Sequence, residues 1–158
     1  MEGLTRCVEC NHEGLEETRQ QRSRTLAGRT FQVELPAQTC PACGTSYYSN
    51  ETVAAYEMSL AVWLARHGIN DGGAFRLMRS VLGLKGLELA SLLDVAPETL
   101  CRWEKGHRPP DRKATALLAS MVLDRAEGHD RTLERLRSLQ EASSPQDVVN
   151  LELVFSAA

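Results

Sequence analysis

No run of about 18 apolar residues occurs anywhere in this chain, and its opening, MEGLTRCVEC, has neither the basic lead nor the apolar core of a secretion signal. A cytoplasmic protein without a membrane segment is therefore expected. No glycine-rich phosphate loop and no nucleophile paired with a base stands out, and the four histidines, at 12, 67, 107 and 129, are scattered, so an enzyme is not expected. Excess positive charge is missing as well, with a formal net charge of -3. That charge is unevenly spread. Residues 1–66 carry six Arg against eight acids, residues 67–125 nine Lys or Arg against seven acids, and residues 126–158 three Arg against six acids. Only the middle is basic, which permits a nucleic-acid partner there without a strong steering field. The 158 residues, 42% hydrophobic and 25% charged, have ordinary globular composition and suffice for one domain or two small ones.

Four of the five cysteines form two pairs, CVEC (Cys7, Cys10) and CPAC (Cys40, Cys43). In a reducing compartment that spacing reads as metal ligation, because two intervening residues let one tight turn aim both thiolates at a single ion. One structural zinc ion per chain is expected, held by Cys7, Cys10, Cys40 and Cys43. Asn11 and Gly44, directly after the pairs, suit the left-handed backbone position such turns need. Between the pairs, Phe31, Val33 and Leu35 alternate with polar residues on one side of LAGR, which predicts a β-hairpin hung from the ion. His12 is expected at the surface.

An amphipathic helix should start at Ser49 or Asn50, with Val53, Tyr56, Leu60, Trp63 and Leu64 on its apolar side. GINDGG (68–73) reads as a linker and domain boundary. Four close-set helices follow, over 74–82, 87–94, 97–106 and 111–126, and a further one over 130–142 carries Leu133, Leu136 and Leu139. In the tail, 148–155 alternates like a strand, although Ser144-Pro145-Gln146-Asp147 resembles a helix start. The resulting division is a zinc-binding domain (1–48), a connecting helix and linker (49–73), a helix-turn-helix domain (74–126) and a C-terminal helix and strand (127–158).

The stretch LGLKGLELASLLDVAPETLCRWEKGHRPP, a helix, a turn of about four residues and a second short helix, fits a DNA-binding helix-turn-helix. It resembles the lambda-repressor-like (Xre/Cro) family. With two CxxC pairs, a hairpin and ELPAQTCPACG ahead of it, residues 1–123 resemble the MqsA family, in which a YgiT-type zinc domain precedes a repressor-type helix-turn-helix. The resemblance implies an α+β chain: a small zinc-bound β-hairpin domain, then an all-α lambda-repressor-like domain. It also implies an antitoxin that binds a toxin through the zinc domain and, as a homodimer on a palindromic double-stranded DNA operator, represses its own operon. Relatives without a toxin imply a stand-alone regulator, and a toxin-neutralising module with little DNA binding is the other alternative.

The sequence departs from the family pattern at two caps. Lys85-Gly86 replaces the usual Ser/Thr-Gln opening of the first helix of the motif, and Ala96 replaces the Ser/Thr cap of the second, with Pro97 supplying the pre-set φ. By the motif, Pro97, Glu98 and Arg102 face bases and Thr99 lies near phosphate, while Lys85, Arg108 and Lys113 are the other cations expected at DNA. Arg102 suits guanine; Glu98 suits cytosine N4 or else complements the helix dipole. Trp103 is expected in the core, Glu104 paired with Arg76 or Arg79, and Cys101 in small-residue packing or at the groove edge. The dimer interface is expected on Leu133, Leu136, Leu139 and the 148–155 segment.

Overall fold

The computed structural model describes residues 5–141. A two-residue turn organises its N-terminal third. Ala27 (φ 50) and Gly28 (φ 71) both take positive φ, the combination of a type I′ turn, whose twist suits two antiparallel strands. They join β1 (Glu16–Leu26) to β2 (Arg29–Thr39) in unbroken register from Leu26↔Arg29 to Glu16↔Thr39. The predicted alternation holds: Phe31, Val33, Leu35 and Ala37 are buried or half-buried, and the residues between them are exposed. A short third strand, β3 (Ser46–Tyr47), pairs with the Thr39 end of β2, giving the sheet order β1-β2-β3. Nothing in the residue pattern had predicted β3.

Six helices follow the sheet: α1 (Asn50–Arg66), α2 (Gly72–Val81), α3 (Gly86–Leu92), α4 (Pro97–Glu104), α5 (Arg112–Ala126) and α6 (Arg131–Gln140). The chain is thus α+β, sheet first and helices after. Ser49 caps α1 by accepting from the Thr52 N–H, and the Asp71 and Asp111 carboxylates cap α2 and α5 in the same way. Of the apolar side predicted for α1, Leu60 and Leu64 are buried, but Val53 is exposed. Phe75, Met78, Leu89, Leu100, Trp103, Leu118, Met121 and Val122 form the main core with Ala61 of α1. Leu60, Leu64, Ala74 and Leu77 form a second cluster, onto which Leu26 and Phe31 at the hairpin tip pack. No helix among the described residues is long and apolar enough to cross a membrane.

Two expectations need correction. The glycine-rich stretch 68–73 is not an open linker. It is a packed turn in which Gly72 lies against the end of α4, so close that a Cβ there would sit 2.1 Å from the Trp103 carbonyl oxygen. Asn70 fastens the same turn, donating to the Pro110 carbonyl and accepting from Thr115 Oγ1 at 2.6 Å. Nor is the leucine side of α6 free: Leu133 is 3% exposed, Leu136 packs on the main core, and only Leu139 faces outward. The 148–155 segment lies outside the described residues.

Candidate functional site

Each cysteine pair sits in the same turn. The Asn11 N–H bonds the Cys7 carbonyl at 3.0 Å and the Cys7 N–H bonds the His12 carbonyl at 2.9 Å; at the other pair Gly44 bonds Cys40 at 2.8 Å and Cys40 bonds Thr45 at 2.9 Å. Asn11 (φ 61) and Gly44 (φ 75) hold the predicted left-handed positions. The hairpin register brings the two turns together. The four sulfur atoms lie within 4.8 Å of one another, with Cys7 to Cys43 and Cys10 to Cys40 each at 3.5 Å. Four thiolates around an ion at about 2.3 Å stand about 3.8 Å apart, so the cluster fits a tetrahedral metal ion. His12 is exposed and outside the cluster.

Tyr47 is the partner that spacing alone did not reveal. Its phenol oxygen lies 3.2 Å from Cys7 Sγ and accepts the Val8 N–H at 3.0 Å, tying β3 to the first turn. That phenol hydrogen bond, with backbone N–H groups of the turn, draws the Cys7 thiol down to about 6. The Thr45 hydroxyl and N–H lower Cys43. At Cys10 the His12 backbone N–H also lowers the thiol, yet burial and the hydrogen bonds shared with the other cysteines push it up to about 12. As thiols alone, Cys7, Cys10 and Cys43 hold their protons unequally. A bound cation would favour all four as thiolates.

The second group of predicted residues lies on α3 and α4, in the loop after α4 and at the start of α5. A turn of four residues, Leu93 to Ala96, joins α3 to α4, and Asp94 (φ 51) takes its left-handed position. Lys85 and Ala96 cap the two helices without any side-chain hydrogen bond, and Pro97 opens α4. Helical periodicity sends Leu100 and Trp103 into the core and leaves Pro97, Glu98, Cys101, Arg102 and Lys105 exposed on one side; Thr99 is half-buried at its margin. Cys101 is therefore a surface thiol rather than a packed one.

Glu104 is paired as expected, with Arg79 of the two candidates. Arg79 Nε and Nη2 reach the two carboxylate oxygens at 2.5 and 3.0 Å, while Nη1 donates to the Leu84 carbonyl at 2.7 Å. This fork fixes α4 against the end of α2. Arg76 is exposed. Lys85, Arg108 and Lys113 are exposed too, and Asn70 positions the loop that carries Arg108 through its bond to Pro110. No protein-family model matches the chain, and no curated protein matches it.

Proposed function

We propose that this protein is a sequence-specific DNA-binding transcription regulator of the MqsA type, with one structural zinc ion on Cys7, Cys10, Cys40 and Cys43. The observation that carries this reading is α4. It is a short helix, clamped from behind by Trp103 and the Arg79 fork, and it presents Glu98, Cys101, Arg102 and Lys105 outward from a four-residue turn. A helix held so on its inner side and polar on its outer side suits the major groove. Four thiolates fill a zinc ion's coordination and leave no position for water, so the metal's work is to hold the sheet. On this reading Arg102 reads base edges, while Lys85, Arg108 and Lys113 supply affinity through phosphates. Two copies act on a palindromic operator upstream of the protein's own gene. The acidic N-terminal third, made more negative by a zinc ion on four thiolates, suits a basic toxin as the second partner.

The test is a pair of salt titrations, on the region upstream of the gene and on scrambled DNA of the same composition. Arg102→Ala should cost about 1–3 kcal/mol on the first and little on the second. Lys113→Ala should weaken both alike and reduce the salt slope by about one. Wild-type protein that binds both DNAs equally weakly would end this reading and leave toxin neutralisation as the function.

A further inference from the structure

Tyr47 stands on the strand that follows the second cysteine pair, yet its hydroxyl serves the first pair, 3.2 Å from Cys7 Sγ. Thr45, whose Oγ1 lies 3.3 Å from Cys43 Sγ, stays within its own turn. The neighbouring tyrosine has a different partner: the Tyr48 hydroxyl accepts from Arg22 Nε at 3.0 Å, with the guanidinium over its ring. The direction of the bonds at Tyr47 follows from the atoms. A phenol has one proton to give and lone pairs with which to accept. The Val8 N–H takes the accepting side at 3.0 Å, and a thiolate that binds a metal has no proton left, so the phenol proton goes to Cys7 Sγ. Two bonds thus run in series, from backbone N–H to phenol oxygen and from phenol O–H to sulfur, and the second is charge-assisted. Burial decides what each is worth. Val8 is 72% exposed, so water can take over its N–H if the phenol is removed. Cys7 is 2% exposed, so nothing replaces the phenol at the sulfur.

We propose that Tyr47 is a positioning residue of the metal site: its hydroxyl aims Cys7 Sγ, steadies the charge on that sulfur and so sets how tightly the chain holds its ion. This role rests on the metal part of the proposed function, and on neither DNA nor a toxin. It also gives the short strand β3 a purpose. Pairing Tyr47 with Gln38 and Ser46 with Thr39 fixes the phenol at the one place from which it reaches across to the first turn. Hydrogen-bonding partners behind a metal ligand are commonly worth about tenfold to hundredfold in metal affinity, because they hold the ligand in its binding orientation and protonation state.

The experiment is a titration of the full chain with cobalt(II), a coloured stand-in for zinc, against a competing chelator. Tyr47→Phe keeps the ring and removes only the hydroxyl, and it should bind cobalt at least about tenfold more weakly. A hydrogen bond to sulfur lowers the energy of the electrons that the sulfur-to-cobalt absorption bands excite, so in Tyr47→Phe these bands should also move to longer wavelength. A loosened fold alone would weaken binding without that shift. Tyr48→Phe, which removes the neighbouring hydroxyl, should match wild type in both respects. Unchanged affinity or unmoved bands in Tyr47→Phe overturn the proposal, and so does a Tyr48→Phe that behaves as Tyr47→Phe does. Should Tyr47→Phe not fold, NMR of the wild-type protein loaded with a magnetic cadmium isotope decides: the Tyr47 hydroxyl proton should couple to the metal through the sulfur, and a cadmium signal without that coupling overturns the proposal. Wild-type protein that takes up no cobalt ends the metal reading and this role with it; cobalt held alike by wild type and Tyr47→Phe ends only this role.

Discussion

Gly72 touches the backbone of α4 through a position where every other residue carries a side chain. An added Cβ would meet the Trp103 carbonyl oxygen at 2.1 Å and the Gly106 nitrogen at 3.2 Å, and neither is a flexible tip that could move aside. Gly72→Ala should therefore destabilise the protein by about 2–3 kcal/mol in urea denaturation. Gly86, also the first residue of a helix, has only Leu100 Cδ2 nearby at 3.8 Å. Gly86→Ala should be neutral or stabilising by up to about 1 kcal/mol. Equal losses from the two would contradict the packing described. Residues whose role is local were legible in the sequence: the cysteine pairs, the left-handed Asn11 and Gly44, and buried Trp103 all follow from spacing and type. Roles that depend on a distant partner were not. Gly72 reads as a linker glycine until α4 is placed against it, and Tyr47 reads as one of two adjacent tyrosines until the hairpin brings it to Cys7.

Among the elements, α6 depends on a neighbour for its start. Its own cap residue, Asp130, makes no side-chain cap and instead accepts from Arg125 Nε at 2.8 Å. Asp124, near the end of α5, accepts the Thr132 N–H at 2.7 Å in its place. That hydrogen bond holds the Asp124 carboxyl below its ordinary value, helped by Arg131 and Arg135. A carboxylate with a depressed folded-state pKa stabilises above its unfolded pKa, and the contribution disappears as pH falls through the folded value. Asp124→Asn should thus lower the urea midpoint at neutral pH and flatten its fall between about pH 5 and pH 2. A parallel, undiminished acid limb in the variant would refute the assignment. Element positions were largely readable, because helical periodicity and caps are local; β3 escaped because two residues carry no period.

Over the whole molecule, the ribbon is held at both ends by different means. The tip packs through Leu26 and Phe31 on α1 and α2, with Phe31 edge-on to Trp63 at 5.1 Å; the base is held by the four cysteines. Removing the metal with a chelator should expose backbone amides near the two cysteine turns to exchange while those beside the tip and in α1–α5 keep their protection. Loss of protection everywhere at once would mean that ribbon and helices unfold as one unit. How the ribbon docks onto the helices was not legible, since Leu26 and Phe31 belong to no period that α1 shares. The Ala27–Gly28 turn carries a consequence in time as well as in space. Helices form from neighbours in sequence, but the two cysteine pairs are separated by 30 to 36 residues and would meet slowly by chance. A turn that zips 11 residue pairs outward from itself delivers both cysteine pairs together and in register, on the microsecond scale of hairpin formation. The assembly of the four-cysteine cluster therefore starts at the opposite end of the ribbon, from two residues that take no part in it.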